Sequence, residues 1–278
     1  MAIRAIRWMD GLKRAGIILL ATAAAAFFFL PLLWIVISSF KTQLDLFAIP
    51  PKWVFQPTLA NYINVLRSDF RAQFVNSMVV ALASTFFSLL LGSMTAYGFS
   101  RYSLRGSSFI QFWILSLRFL PAVAVMVPFF LVFNSLRLRD TLLALFLAYN
   151  VFNISFAIWV LKAFFDEIPL ELEEAAMLDG YSPLQVFLRV SLPLVRPGLV
   201  TTAIFCMIQS LNEFLLALAL TVRAAETAPV GLAKLQTFLG TDWGRISAAG
   251  TLFMLPVVLF TILVRNELVR GMSFGRMK

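Results

Sequence analysis

The sequence predicts an all-α, polytopic membrane protein with six transmembrane helices and an acidic cytoplasmic segment between the fourth and the fifth. Three observations carry that prediction. First, 60% of the 278 residues are hydrophobic and 13% charged, with a mean hydropathy of +0.88. A soluble domain sits nearer ~45–50% apolar and ~25% charged, and a globule of this size cannot bury the difference, so lipid is the expected solvent. Second, the apolar residues gather in six runs that can each cross a hydrocarbon core of ~30 Å, which takes about 20 residues. Third, the chain has 14 acidic residues, and six of them lie between 166 and 179: Asp166, Glu167, Glu171, Glu173, Glu174 and Asp179.

The runs lie near 15–39, 74–98, 109–133, 141–162, 197–221 and 247–265, and predict a single membrane domain over 1–278. The first is too long for the apolar core of a signal peptide, and it runs through "FFFLPLLWIVISSF" with no small-residue cleavage site. Pro31, Pro121, Pro128 and Pro256 fall inside runs, where neighbouring helices can re-satisfy the freed carbonyls. After the first run comes a loop rich in proline and aromatics, "KTQLDLFAIPPKWVFQPTLANYINVLRSDFRAQ", expected to form an ordered outer cap with "TLANYINVL" as a surface helix. With the N-terminus inside, thirteen of the 23 Lys and Arg residues fall on the cytoplasmic side and nine outside, and Arg118 lies within a run. That bias places both termini and the acidic stretch in the cytoplasm.

Composition also excludes chemistry. With no histidine, Ser-His hydrolysis, His-ligated metal and histidine proton relays are absent. The single Cys206 lies in an apolar run, so neither a disulfide framework nor a thiolate metal cluster is expected. No metal site and no catalytic residue is predicted. The net charge of +9 flanks apolar runs and forms no basic face, which argues for membrane orientation and against nucleic acid. No Lys follows a Gly, so a GxxxxGK[ST] phosphate loop is missing, and any ATP must be bound by another chain.

The acidic segment, 166–194, reads as two short helices at an angle. Pro169 suits a first helical turn, and Glu171, Glu173 and Glu174 complement the positive end of a helix dipole. Gly180 stands where a left-handed residue would end that helix. "SPLQ" starts the next, with Ser182 as N-cap, Pro183 in the first turn and Gln185 completing a capping box. Leu184, Phe187 and Leu188 form its expected apolar face, and Pro193 its expected stop. Ala175 and Ala176, two small residues beside a run of carboxylates, leave a surface another protein can approach. A loop that merely turned the chain round would need neither ~30 residues nor two capped helices.

The same residues resemble the EAA signature of permease subunits of ATP-binding-cassette importers: Glu-Ala-Ala, three residues, Gly, nine residues, Ile, one residue, Leu-Pro. Here it reads Glu174-Ala175-Ala176, Gly180, Val190 and Leu192-Pro193, with Val190 for Ile as the one departure. "SFK", "LANYINVL", "NSMVVALAST", "AYGFSR", "AYNVFNISFAIWVLKAFF" and "NEFLLALALT" resemble the carbohydrate-type permeases. The ending "LVRGMSFGRMK" resembles the second permease of the maltose-type pair. Leu211 stands where relatives often carry Trp. The resemblance implies a bacterial cytoplasmic (inner) membrane subunit, not itself an enzyme, that forms half of the translocation path for a carbohydrate or related polar solute. Its implied partners are two ATP-binding subunits that hold ATP and Mg, a second and different permease subunit, and an extracytoplasmic solute-binding protein. The EAA segment would be a coupling helix seated in a cleft of the ATPase. There Glu174 would pair with a basic residue, Ala175 and Ala176 would allow close contact, and Gly180 would set the bend; Asp179, Leu192 and Pro193 complete the segment.

Polar side chains at membrane depth are costly and face a cavity or the bundle interior. The candidates for a solute path are Asn150, Asn153, Asn212, Glu213 and Arg118. Each also has a structural reading: interhelical hydrogen bonds worth about 0.6 kcal/mol apiece, or an Arg118–Glu213 ion pair. A self-contained secondary transporter or an intramembrane enzyme are the alternative functions. The transporter leaves the acidic segment unexplained, and the enzyme would lack histidine, an aspartate deep in a span and paired carboxylates at depth.

Overall fold

The computed structural model describes residues 2–237 and 240–273. The quoted ending runs from 268 to 278, and its last five residues lie outside the described ones. The helices in chain order are α1 (Ala2–Ser39), α2 (Gln43–Leu46), α3 (Ala60–Arg67), α4 (Phe70–Arg101), α5 (Ser107–Ser116) and α6 (Ala122–Ser135). Then follow α7 (Leu142–Asp166), α8 (Leu170–Leu178), α9 (Pro183–Val186), α10 (Leu192–Leu194), α11 (Arg196–Asn212), α12 (Leu215–Leu220), α13 (Ala228–Lys234) and α14 (Trp243–Ser273). A 3₁₀ turn, Leu117–Phe119, extends α5, and a π turn, Phe187–Ser191, joins α9 to α10. Two two-residue strands, β1 (Gln236–Thr237) and β2 (Gly240–Thr241), pair antiparallel, a small departure from an all-helical chain.

Among the described residues, four stretches are long and apolar enough to cross a membrane: Gly16–Ser39, Phe70–Arg101, Leu142–Asp166 and Trp243–Arg265. Two further pairs pass that test only as bent pairs. Ser107–Phe119 meets Ala122–Ser135 at 100°, and Pro183–Leu194 meets Arg196–Asn212 at 76°. The sequence predicts one unbroken run over 109–133. The chain instead breaks at Leu120–Pro121, because Pro121 has no N–H to donate and forces Leu120 into an extended conformation. Similarly, the run predicted over 197–221 is interrupted: α11 ends at Asn212 and α12 restarts at Leu215.

The chain divides into two compact units. One holds residues 1–68 and 235–252, and the other 69–234 and 253–278. In the first, α3 is the predicted surface helix, and it is tied to the end of α1. Asn61 Nδ2 donates to the carbonyls of Ser39 and Lys41 at 2.9 Å each, and the hydroxyls of Tyr62 and Ser39 share a 2.6 Å hydrogen bond. Lys41 is buried. Its ammonium donates to the Lys52 carbonyl at 2.8 Å and sits over the rings of Trp34 and Phe55, which clamps the loop across the helix end. By contrast, α1 buries nothing between residues 16 and 33, as expected for a helix whose solvent is lipid.

In the second unit α4 and α7 form the central pair, with α11 packed on both. Lipid tails are as apolar as leucine, so helices in membranes associate through close van der Waals approach over small residues. The buried face of α4 fits that: Ser77, Ala81, Ser84, Ser88, Gly92 and Ala96 recur every three or four residues. At Gly92 the backbones come so close that an added Cβ would stand 2.5 Å from the Cβ of Ala157 on α7. One apolar cluster packs α6, α7 and α12 around Leu145, Tyr149, Leu216 and Leu220. A second, at the other end of α7, gathers Tyr97, Leu161, Phe165, Phe187 and Val195.

Candidate functional site

The acidic segment rests on that second cluster. α8 begins after Pro169, which is its N-cap and not its first helical residue. The helix ends as the sequence predicts, at Gly180 with φ +92°. The amide of Tyr181 donates to the Ala176 carbonyl at 3.1 Å and that of Gly180 to Met177 at 3.0 Å, the two bonds of a Schellman cap. The predicted capping box then opens α9. Ser182 N–H donates to Gln185 Oε1 at 2.9 Å, and Gln185 N–H to Ser182 Oγ at 3.4 Å.

Beyond α9 the structure departs from the expected simple helix. The backbone widens into the π turn, where Leu192 N–H donates to the Phe187 carbonyl. Val186 and Phe187 turn inward while Leu184 and Leu188 stay exposed, so the three predicted apolar residues do not share a face. Pro193 does not stop the chain. It lies inside α10, and the break falls at Val195.

Of the six carboxylates, two are paired among the described residues. Asp166 takes Lys162 Nζ at 2.6 Å and the Ser100 hydroxyl at 2.6 Å. Glu173 is buried, its side chain 3% exposed, and receives three donors from two other elements. Arg101 Nε on α4 lies at 2.9 Å from Oε2, Tyr97 O–H on α4 at 3.0 Å from the same oxygen, and Ser191 O–H on the π turn at 2.7 Å from Oε1. Arg101 also donates to the Ile168 carbonyl at 3.2 Å, in the turn between α7 and α8. Burial by itself would push the Glu173 carboxyl up, but the donors from Arg101, Ser191 and Tyr97 and the guanidinium charge hold it below the usual carboxylate range. Removing one partner of such a buried pair strands a charge, at a cost of about 3–5 kcal/mol.

Glu167, Glu171, Glu174 and Asp179 are exposed. Within the signature, Ala175 is exposed but Ala176 is buried inside the chain. Contrary to the expectation for both alanines, only Ala175 is accessible to another protein. Leu192 packs against the second cluster, and Pro193 is exposed. Around Glu174 the segment presents bare apolar side chains: Leu178 is 89% exposed, Leu184 62% and Leu170 53%. The sequence singles out Glu173 only as a helix-dipole carboxylate, and it does not single out its partners Arg101, Tyr97 and Ser191. Their only signal is the i, i+4 spacing of Tyr97 and Arg101, which puts both on one face at the end of α4.

The candidates at membrane depth separate. Asn150 is glue: Oδ1 accepts from Ser88 on α4 at 2.8 Å, and Nδ2 donates to the Phe146 carbonyl at 2.7 Å. Asn153 Nδ2 donates to Ser210 on α11 at 2.7 Å, but its buried Oδ1 has no partner among the described residues. That amide lines a small pocket with Tyr149, Gln209, Ser210 and Glu213. No Arg118–Glu213 ion pair forms. Arg118, exposed at the bend between α5 and α6, donates to Gln209 at 2.9 Å and lies over the Phe156 ring. Glu213 instead accepts the Leu216 N–H and caps α12, and Asn212 is exposed. Among the described residues no group of His, Cys, Asp and Glu is placed to hold a metal.

A family model for the inner-membrane component of binding-protein-dependent transport systems matches residues 88–273, which include the acidic segment and α7, α11 and α14. The chain belongs to this family. Similar relatives include the trehalose transport system permease protein SugB of Mycobacterium tuberculosis, 35% identical over 93% of this chain and 96% of its own. The trehalose/maltose transport system permease protein MalG of Thermococcus litoralis is 31% identical over 96% and 98%. A solved structure of a bacterial ABC transporter involved in the import of the acidic polysaccharide alginate shares the fold, with a TM-score of 0.74 at 24% identity over 91% of this chain and 96% of that one. As a member of this family the chain is a membrane subunit of an ATP-binding-cassette importer, and hydrolysis of ATP belongs to a separate subunit.

Proposed function

We propose that this permease forms half of the translocation path for a carbohydrate or related polar solute and is driven through its 166–194 segment by an ATP-binding subunit. Two such subunits bind ATP and Mg, a second and different permease completes the path, and an extracytoplasmic binding protein delivers the solute. The chain crosses the inner membrane six times, each bent pair counting as one span, with both termini cytoplasmic. Carbohydrate is favoured by relatives named for trehalose, trehalose/maltose and sulfoquinovosyl glycerol transport. Binding-protein dependence is favoured by the family description, and by the related fold in an alginate transporter solved with a pentasaccharide-bound periplasmic protein. Arg118, Asn153, Asn212 and Glu213 are the polar groups offered to the solute. Asn150, with both ends of its amide bonded, contributes through packing.

The observation that carries the coupling role is the surface of α8 and α9. Leu178, Leu184 and Leu170 stand bare beside the exposed Glu174, on a segment that no apolar run carries into lipid. Exposed apolar side chains rimmed by charge mark an interface. Co-purification of the permease with its ATP-binding subunit tests this. Glu174→Ala is expected to weaken the association, because a partner charge left unpaired in an interface costs about 2–5 kcal/mol. Wild-type recovery of the ATP-binding subunit by the variant would refute the role of Glu174.

A further inference from the structure

We infer that Glu173, Arg101, Tyr97 and Ser191 form a rigid joint through which a stroke on α8 reaches the membrane helices. The two neighbouring glutamates thus divide the work: Glu174 faces outward to the partner and Glu173 inward to the joint. The inference rests on the coupling role proposed for 166–194.

One carboxylate holds three pieces of chain together. Arg101 and Tyr97 close the end of α4, the longest of the described helices apart from α1, and Arg101 also holds the turn after α7 through Ile168. Ser191 closes the π turn that leads through α10 into α11. The carboxylate therefore receives bonds from the end of α4 and from the lead into α11, while its own backbone is α8. The network continues outward without a gap, because Arg101 Nη1 donates to the Ser100 hydroxyl at 2.9 Å, and Ser100 donates to Asp166 at the end of α7. The rings of Tyr97, Phe165 and Phe187 pack around it, Tyr97 lying 5.4 Å from Phe165 and 4.9 Å from Phe187.

A buried ion pair is a poor device for stability alone, since well-packed apolar residues of the same volume do as well or better. It is a good device for register, because it tolerates only one arrangement of its donors. The π turn points the same way. A π turn in an otherwise helical segment is uncommon and recurs at functional sites, and this one places the Ser191 hydroxyl on the carboxylate. Glu173 is a positioning residue in this arrangement. It touches neither solute nor nucleotide, and acts by keeping α8, the end of α4 and the lead into α11 as one moving body.

The test is a distance measured during the ATP cycle. In a Cys206→Ser background, nitroxide labels at Met94 on α4 and Leu172 on α8, both exposed and neither among the residues offered to the ATP-binding subunit, report the separation by pulsed electron spin resonance. The sample is the assembled complex, without nucleotide and then trapped with Mg-ATP and vanadate. The intact joint predicts one narrow distance in both states. Glu173→Gln, and the milder Ser191→Ala and Tyr97→Phe that leave the ion pair in place, are expected to broaden the distance and shift it on trapping. The ATP-binding subunit still co-purifies with each. Should Glu173→Gln fail to assemble, the two milder variants decide. A wild-type distance that changes on trapping, or variants that keep the narrow distance throughout, would overturn the joint. Loss of the ATP-binding subunit from the wild type would overturn the coupling role instead, so the two failures are separable.

Discussion

At the scale of single residues, carboxylates in this chain act by collecting donors, and Asp140 is the clearest case outside the acidic segment. It sits between α6 and α7 at φ +59° and accepts the backbone N–H groups of Val222, Arg223, Ala224 and Ala225 at 3.0–3.2 Å. Partial burial would raise its carboxyl, but those four donors pull it down to about 2. A carboxylate whose folded pKa is lowered contributes stability that is fully present above its unfolded value of about 3.9 and is lost as pH falls through the folded value. Asp140→Ala is therefore expected to destabilise the purified permease by about 1–3 kcal/mol at neutral pH, the cost of stranding charge-assisted donors. The gap between variant and wild type in thermal melts should hold down to about pH 5 and narrow below pH 4, by the same linkage. A gap independent of pH would mean that shape, and not charge, does the holding.

At the scale of elements, Gly180 makes the bend between α8 and α9 and carries its own prediction. An added Cβ there meets nothing within 4 Å, so space is not the difficulty; the positive φ is. Gly180→Val is expected to cost roughly 1 kcal/mol or more and to re-aim α9. Solute uptake should be lost while the ATP-binding subunit stays bound, and uptake at the wild-type rate would show the bend to be passive. These elements also show what the sequence discloses. Gly180 and the Ser182–Gln185 capping box were legible because caps are local, written within five residues of one another. The joint was not, because Glu173 meets Arg101 across 72 positions and no local pattern encodes that meeting. Arg101 was counted only as a positive flank. Position 176 was misjudged for the same reason: which side of α8 faces the chain depends on the partners of Glu173, namely Arg101, Tyr97 and Ser191, which lie outside the helix. The bend at Pro121 was half legible, since a proline inside an apolar run is tolerated or breaks the helix according to its neighbours.

At the scale of the whole molecule, the composition alone required lipid, and the matched family made the chain a permease that depends on another subunit for ATP. What joins those two facts is the segment 166–194. It is anchored inward by Glu173 and by the cluster around Phe165 and Phe187, and it offers Glu174, Ala175, Leu178 and Leu184 outward. A photo-reactive benzophenone placed on a cysteine at Leu178, in a Cys206→Ser background, asks directly what covers that surface. The assembled importer is irradiated in the membrane and the captured protein is identified by mass spectrometry. Capture of the ATP-binding subunit from Leu178, and not from a control cysteine at Trp113 on α5, is the expected result. Capture of no ATP-binding subunit from Leu178, in a complex that still hydrolyses ATP, would contradict the coupling role of this segment.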